Sequence, residues 1–234
     1  MDNPFIFNDE ILALEYLKLP DAAIIFDVGC SYGEYTLEVI KKMGNRPFTV
    51  HCFDPVQDFC KIQKQRFKNY TNIVTNNLAL CDQKGEAMFY RINAPGNQGA
   101  EGCSSLTLRP EFVTNNWPYV PTLVSTDRLD DYIKDSGVKH IDLMKVDAEG
   151  AELRIFKGGE QMFKRELVDI VQFEYNTALK DAEGSMKEIC DFVYQFNYLL
   201  ADFKDGKYIV LNTFVEDYGF HNYYLINRTY FETL

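Results

Sequence analysis

One short run constrains the fold of this chain more than any other: Ile24-Ile25-Phe26-Asp27-Val28-Gly29-Cys30-Ser31-Tyr32-Gly33, an apolar strand ending in D-x-G-x-x-x-G ahead of a helical stretch. A continuous apolar run marks a strand buried on both faces, as in parallel sheets covered by helices on either side. Glycines after such a strand let the backbone turn sharply and approach a ligand, and the positive end of the next helix faces the same crevice. The run therefore predicts a ligand site at the C-terminal end of a strand in a doubly wound α/β sheet. Its spacing differs from the dinucleotide pattern G-x-G-x-x-G, and Asp27 would stand close to where a pyrophosphate must lie. A cofactor with a cationic amino group fits better than a nicotinamide dinucleotide.

The rest of the chain alternates strand-like and helical stretches, as βαβ units do. The pattern predicts a helix over about 9–18, a strand over 23–28, a helix over 33–43, a strand over 48–53, a helix over 56–68 and a third strand over 72–80. After the turn Asp82-Gln83-Lys84-Gly85, residues 86–92 read as an added strand that interrupts the alternation. The polar stretch 93–105, with Gly96, Gly99 and Gly102, reads as a long loop and a candidate gate over an acceptor pocket. Further strands are expected at 121–125, 140–146, 168–174, 198–203, 207–211 and 223–227, with helices over 127–134, 151–165 and 185–194. The 234 residues carry no repeat or long linker and read as one domain, with residues 1–20 as a helical extension.

A net charge of −11 sets a repulsive field before a polyphosphate, so nucleic acid is not the expected partner. No stretch approaches the roughly 20 apolar residues of a membrane span, so no membrane is expected either. The N-terminus lacks the basic start and apolar core of an export signal, and the six cysteines show no C-x-x-C spacing. Both features point to free thiols in a reducing, cytoplasmic setting.

The second strand ends in Asp54-Pro55, with Asp54 21 residues after Gly33, near the interval at which an acid accepts hydrogen bonds from ribose hydroxyls. Taken singly, Asp27 and Asp54 could each cap a helix. At the ends of adjacent strands they point together to a nucleoside. A third feature, Ile141-Asp142-Leu143-Met144-Lys145-Val146-Asp147-Ala148-Glu149-Gly150-Ala151-Glu152, delivers three carboxylates within six positions past an apolar strand. Crowded like charges repel one another, so the cluster suggests a base, a cation site or a bound ligand, although Glu152 suits the first turn of a helix. The three histidines, His51, His140 and His221, suit core or surface roles better than chemistry.

The block K-V-D-A-E-G-A-E, followed by Lys157-Gly158-Gly159, resembles the signature of FkbM-type methyltransferases. The likeness extends from about residue 23 to 175 through F-D-V-G-C-S-Y-G-E-Y-T, F-D-P, N-L-A-L-C-D-Q-K-G, Ser104–Leu106 and T-D-R-L-D-D-Y. The pair Cys30-Ser31 departs from the small residue and Asn expected there. The resemblance implies a class I, Rossmann-like methyltransferase fold with added strands, using S-adenosylmethionine to methylate a hydroxyl on a sugar, glycan or similar small molecule. It implies that Asp27, Gly29, Ser31 and Gly33 line the methionine and ribose part of the cofactor. Asp54 would hold the ribose hydroxyls, with adenine near Pro55, Val56, Leu78 and Ala79.

An alcohol needs a base to accept its proton, and Asp147 is the first choice, with Glu149 and Glu174 completing the site. Asp147 and Glu174 are also the candidate ligands should Mg²⁺ take part. Ser104 and Ser105 are the candidate acceptor contacts. Two rivals share the topology: a nicotinamide-dependent oxidoreductase, weakened by the missing G-x-G-x-x-G, and a non-catalytic nucleoside-binding protein, weakened by the acids at several strand ends.

Overall fold

The computed structural model describes residues 8–94, 98–214 and 216–233. In chain order the first half runs α1 (Asn8–Tyr16), β1 (Ala23–Val28), α2 (Glu34–Met43), β2 (Phe48–Asp54), α3 (Gln57–Arg66), β3 (Ile73–Asn77), β4 (Ala79–Cys81), β5 (Gly85–Ile92), α4 (Gln98–Gly102), α5 (Pro110–Thr114) and β6 (Tyr119–Arg128). The second half runs α6 (Leu129–Ser136), β7 (Ile141–Val146), α7 (Glu152–Gly158), α8 (Glu160–Lys164), β8 (Val168–Tyr175), α9 (Thr177–Asp181), α10 (Met186–Val193), β9 (Tyr198–Lys204), β10 (Lys207–Val210), β11 (His221–Asn227) and α11 (Arg228–Phe231).

Eight strands form one sheet in the order β10-β9-β11-β8-β7-β1-β2-β3. β1 lies parallel to both β2 and β7, β2 to β3, and β7 to β8, whereas β11 runs antiparallel between β8 and β9. This is the mostly parallel, doubly wound α/β sheet that the sequence predicts, with a second small sheet of added strands. The chain winds outward from β1 to β3 and then returns to the other side of β1. The strand order thus reverses between β1 and β7, and a crevice opens where the C-terminal strand ends diverge.

Helices cover both faces. On one face Ala13 and Leu14 of α1 and Leu17 just after it, with Tyr35, Val39 and Met43 of α2, bury Ile25, Val50 and Leu143. On the other, Leu129, Ile155, Phe156 and Phe163 bury Phe26, Met144 and Phe173. The spacing of Tyr35, Thr36, Val39 and Met43 is the i, i+4 stripe that commits one side of α2 to the sheet.

The helix expected over 151–165 is two, α7 and α8, and α5, α9 and α11 were not expected. Three further differences from the sequence reading shape the site. The strand expected over 72–80 breaks at Leu78, whose amide donates to the Asp54 carbonyl (3.1 Å). Asn77 Nδ2 holds the carbonyls of Asp54 and Pro55, and the chain steps off the large sheet so that β4 joins a second, three-stranded sheet ordered β4-β6-β5. β6 runs over ten residues, longer than the five expected, because it pairs with the whole of β5. Within the loop expected over 93–105, residues 98–102 form the helix α4, while residues 95–97, including Gly96, lie outside the described residues.

Candidate active site

At the end of β1 the backbone is pulled against its neighbours. Gly29 and Cys30 donate to the Phe53 carbonyl (3.0 and 3.2 Å), and Asp147 N donates to the Val28 carbonyl (3.0 Å). Gly29 has φ 79°, and a Cβ there would lie 1.7 Å from the Asp147 carbonyl oxygen, so the contact between the loops after β1 and β7 excludes every other residue. Ser31, at φ 46°, aims its N–H at Asp54 Oδ2 (2.9 Å), while Asp54 Oδ1 accepts from Val56 N (2.7 Å). Burial pushes the Asp54 carboxyl up to about 7 against the pull of those two amides. Asp27 is fully buried; its Oδ2 accepts from Thr36 Oγ1 (2.6 Å), and its Oδ1 has no hydrogen-bond partner among the described residues. Burial raises this carboxyl too, with Lys145 and the Thr36 hydroxyl opposing.

Two adjoining cavities open over this crevice. The larger, about 640 Å³, is walled by Asp27, Tyr35, Lys145, Glu174, Trp117 and Tyr218 among others. The second is a narrow, mostly apolar slot between Val56, Phe59, Leu78, Ala79 and Leu106, with Asp54 and Pro55 at its edge. Gly29, Ser31, Asp147 and Glu149 line both, so they stand at the junction.

Carboxylate oxygens of Asp147, Glu149 and Glu174 lie within 4.8 Å of one another. Two buried cations are built against them. Lys145 Nζ sits 2.9 Å from Asp147 Oδ2 and 3.4 Å from Glu10 Oε1. Arg109 reaches Glu149 Oε2 (2.5 Å), Glu111 Oε1 (2.6 Å) and Asp181 Oδ2 (3.3 Å). Burial, with Asp147 adding, pushes the Glu149 carboxyl up to about 8 in spite of Arg109. Burial and the charges of Asp147 and Glu149 drive Glu174 well above the ordinary carboxylate range; its Oε2 accepts from Asn176 Nδ2 (2.6 Å). Glu152 accepts from Ala148 N (2.9 Å), and burial brings it to about 7.

Asp27, Gly29, Ser31, Asp54, Pro55, Val56, Leu78, Ala79, Asp147, Glu149 and Glu174 therefore all meet at one crevice. Gly33 does not. It caps the start of α2 at φ 85°, where a Cβ would press to 2.7 Å from the Phe67 ring, so its role is the turn. The serines also differ from expectation. Ser104 Oγ donates to the Glu101 carbonyl (2.6 Å) and accepts from Ile92 N (3.0 Å). Ser105 Oγ donates to the Glu149 carbonyl (2.6 Å) and accepts from Thr107 N (3.0 Å). Both hydroxyls are spent on backbone, clasping the inserted segment and, through Ser105, the turn that carries Glu149 at φ 50°.

His51 packs on Phe26 and meets the Tyr132 hydroxyl (2.7 Å), while His140 pairs with Asp169 (3.0 Å) at the opposite end of the strands. Sequence reasoning missed Glu10, Arg109, Lys145 and the hydrogen bond from the Tyr32 hydroxyl to Glu101. Only Lys145 carried a local signal, a charge inside an apolar strand and two positions before Asp147, hence on the same face.

The profile of the family described as "Methyltransferase FkbM domain" matches residues 27–200. The 2-O-methyltransferase NoeI of Sinorhizobium fredii is 25% identical over 196 residues, covering 81% of this chain and 78% of the relative. The crystal structure of a methyltransferase FkbM from Methylobacillus flagellatus superposes with a TM-score of 0.56 at 14% identity, over 90% of this chain. This chain spans only 44% of that larger structure.

Proposed function

Because the chain belongs to the family of FkbM methyltransferase domains, we propose that it transfers the methyl group of S-adenosylmethionine to a hydroxyl of a sugar, glycan or similar small acceptor. The observation that carries this reading is the position of Asp147, which lines both cavities and so lies between a nucleoside slot and an acceptor space. The name of the Sinorhizobium relative supports oxygen as the atom methylated.

The residues present suit the donor. Asp54 faces the slot where ribose hydroxyls would need an acceptor, and Val56, Leu78 and Ala79 offer apolar walls to an adenine. The orphaned Asp27 Oδ1, buried at the wall of the larger cavity, suits a cationic amino group. Bound S-adenosylmethionine supplies an electrophilic methyl group on a sulfonium. The protein's part is to exclude water, align the acceptor and take its proton, and positioning supplies much of the rate gain in a displacement of this kind. Asp147 accepts the hydroxyl proton; Glu149 and Glu174 border the acceptor. Lys145 and Arg109 already bring two positive charges to the carboxylate cluster, so the reading calls for no divalent ion.

The test is Asp147→Asn, which keeps shape and removes the base. Turnover should fall by roughly two to four powers of ten, the span usual for loss of a general base, with donor affinity little changed. Equal losses in both would move Asp147 into the donor site, and full turnover would remove it from the chemistry. EDTA should leave the wild type active, and a reversible loss would restore the case for Mg²⁺ on Asp147 and Glu174. Calorimetric titration with S-adenosylmethionine and with NAD tests the oxidoreductase alternative.

A further inference from the structure

We propose that Glu10 of α1 and Lys145 of β7 form a positioning pair for Asp147, so that a helix preceding the residues matched by the family profile is part of the methyl-transfer site. The proposal rests on the reading of Asp147 as the base. Asp27, Lys145 and Gln172 are register neighbours on β1, β7 and β8, so their side chains rise side by side from one face of the sheet. That face is roofed by α1 and α2. Gln172 Nε2 donates to the Glu10 carbonyl (3.3 Å), Gln172 Oε1 accepts from the Tyr35 hydroxyl (3.1 Å), and the Lys145 ammonium lies 5.3 Å from the Tyr35 ring centre. The backbone of Glu10 is thereby fixed, and its side chain, 6% exposed, can reach Lys145 Nζ.

A lysine is a flexible stem carrying a point charge, and with one partner it can pivot. Here two carboxylates hold the ammonium from different elements, Glu10 at 3.4 Å and Asp147 at 2.9 Å. The contact pins Asp147 Oδ2, and the other carboxylate oxygen is left for an acceptor. Stability gives little reason for the arrangement, because apolar residues of similar volume commonly replace buried ions without loss. All three groups line the larger cavity.

The experiment is a double-mutant cycle on the full chain, Glu10→Gln, Lys145→Met and both together, read by turnover, donor affinity and thermal melting. Glu10→Gln should lower turnover about tenfold, the scale of a small misplacement of a reacting group, with donor affinity little changed. It should cost nothing further in the Lys145→Met background or in Asp147→Asn. Lys145→Arg keeps the charge and should recover much of what Lys145→Met loses. Ile189→Ala, a core truncation in α10 far from the pair, should lower the melting temperature and leave turnover in place. Wild-type turnover in Glu10→Gln beside a large loss in Asp147→Asn overturns the pair and leaves the base standing, as do losses at Glu10 and Lys145 that simply multiply. Full turnover in Asp147→Asn overturns the base and the pair with it.

Discussion

Asp54 has two duties that a substitution would expose separately. Its oxygens accept from the half-buried amide of Ser31 and the buried amide of Val56, and its carboxylate faces the slot assigned to the donor's ribose. Asp54→Ala strands both amides, each at a cost of about 1–3 kcal/mol, so the melting temperature should drop. Hydrogen bonds to a charged group are worth about 1.5–3 kcal/mol each, so loss of two ribose contacts should weaken S-adenosylmethionine binding at least ~100-fold. A folded variant that binds the donor as tightly as the wild type would end the ribose assignment. Asp27, Asp54 and Asp147 were legible because each closes an apolar strand, where a charge has no place unless a ligand or cap uses it. Glu10 and Arg109 were not legible: Glu10 finds Lys145 across 135 positions and Arg109 finds Glu149 across 40, and no local pattern encodes such meetings.

At the scale of elements, the large parallel sheet and the added strands over 86–92 and 121–125 could be read from the sequence, but not that the end of the third strand leaves to join them as a separate sheet. Leu78 leaves the third strand because its amide goes to the Asp54 carbonyl while Asn77 Nδ2 ties the carbonyls of Asp54 and Pro55, a tertiary event that propensity does not register. α4 has two glycines in five residues and would not stand as an isolated helix. It is held by the Tyr32 hydroxyl on Glu101 and by Ser104, and Glu101 and Gly102 roof the slot. Donor entry and exit should therefore depend on this clasp. Tyr32→Phe removes one neutral-to-charged hydrogen bond, so stopped-flow measurements should show donor dissociation roughly tenfold faster. Amide exchange over 98–105 should rise in the same variant and fall in the wild type when donor and acceptor are bound. Unaltered dissociation would leave α4 as a fixed wall with no gating role.

At the scale of the molecule, the net charge of −11 set the expectation about partners but not where the acids gather. The structure gathers Asp54, its carboxyl brought to about 7, and Glu149, brought to about 8, around one crevice, and buries Glu152, also brought to about 7, on the turn after β7. In the unfolded chain these groups ionise near the ordinary values of about 4. Between about pH 4 and pH 8 the folded state therefore holds protons that the unfolded state has released. Stability falls wherever the folded state binds more protons as pH rises, and the slope vanishes once the folded groups have ionised too. The ligand-free protein should accordingly melt at a lower temperature at pH 8 than at pH 5, opposite in sign to the loss of native-state salt bridges that destabilises most proteins in acid. The growing negative charge of the whole chain acts in the same direction. A donor carrying a sulfonium and an ammonium favours the ionised carboxylates, so it should raise the melting temperature more at pH 8 than at pH 5 and flatten the profile. Thermal melts from pH 5 to pH 8, with and without S-adenosylmethionine, check both statements. A ligand-free profile that climbs with pH would mean that these carboxylates are ionised in the folded protein, and that the crevice already supplies the countercharge assigned here to the donor.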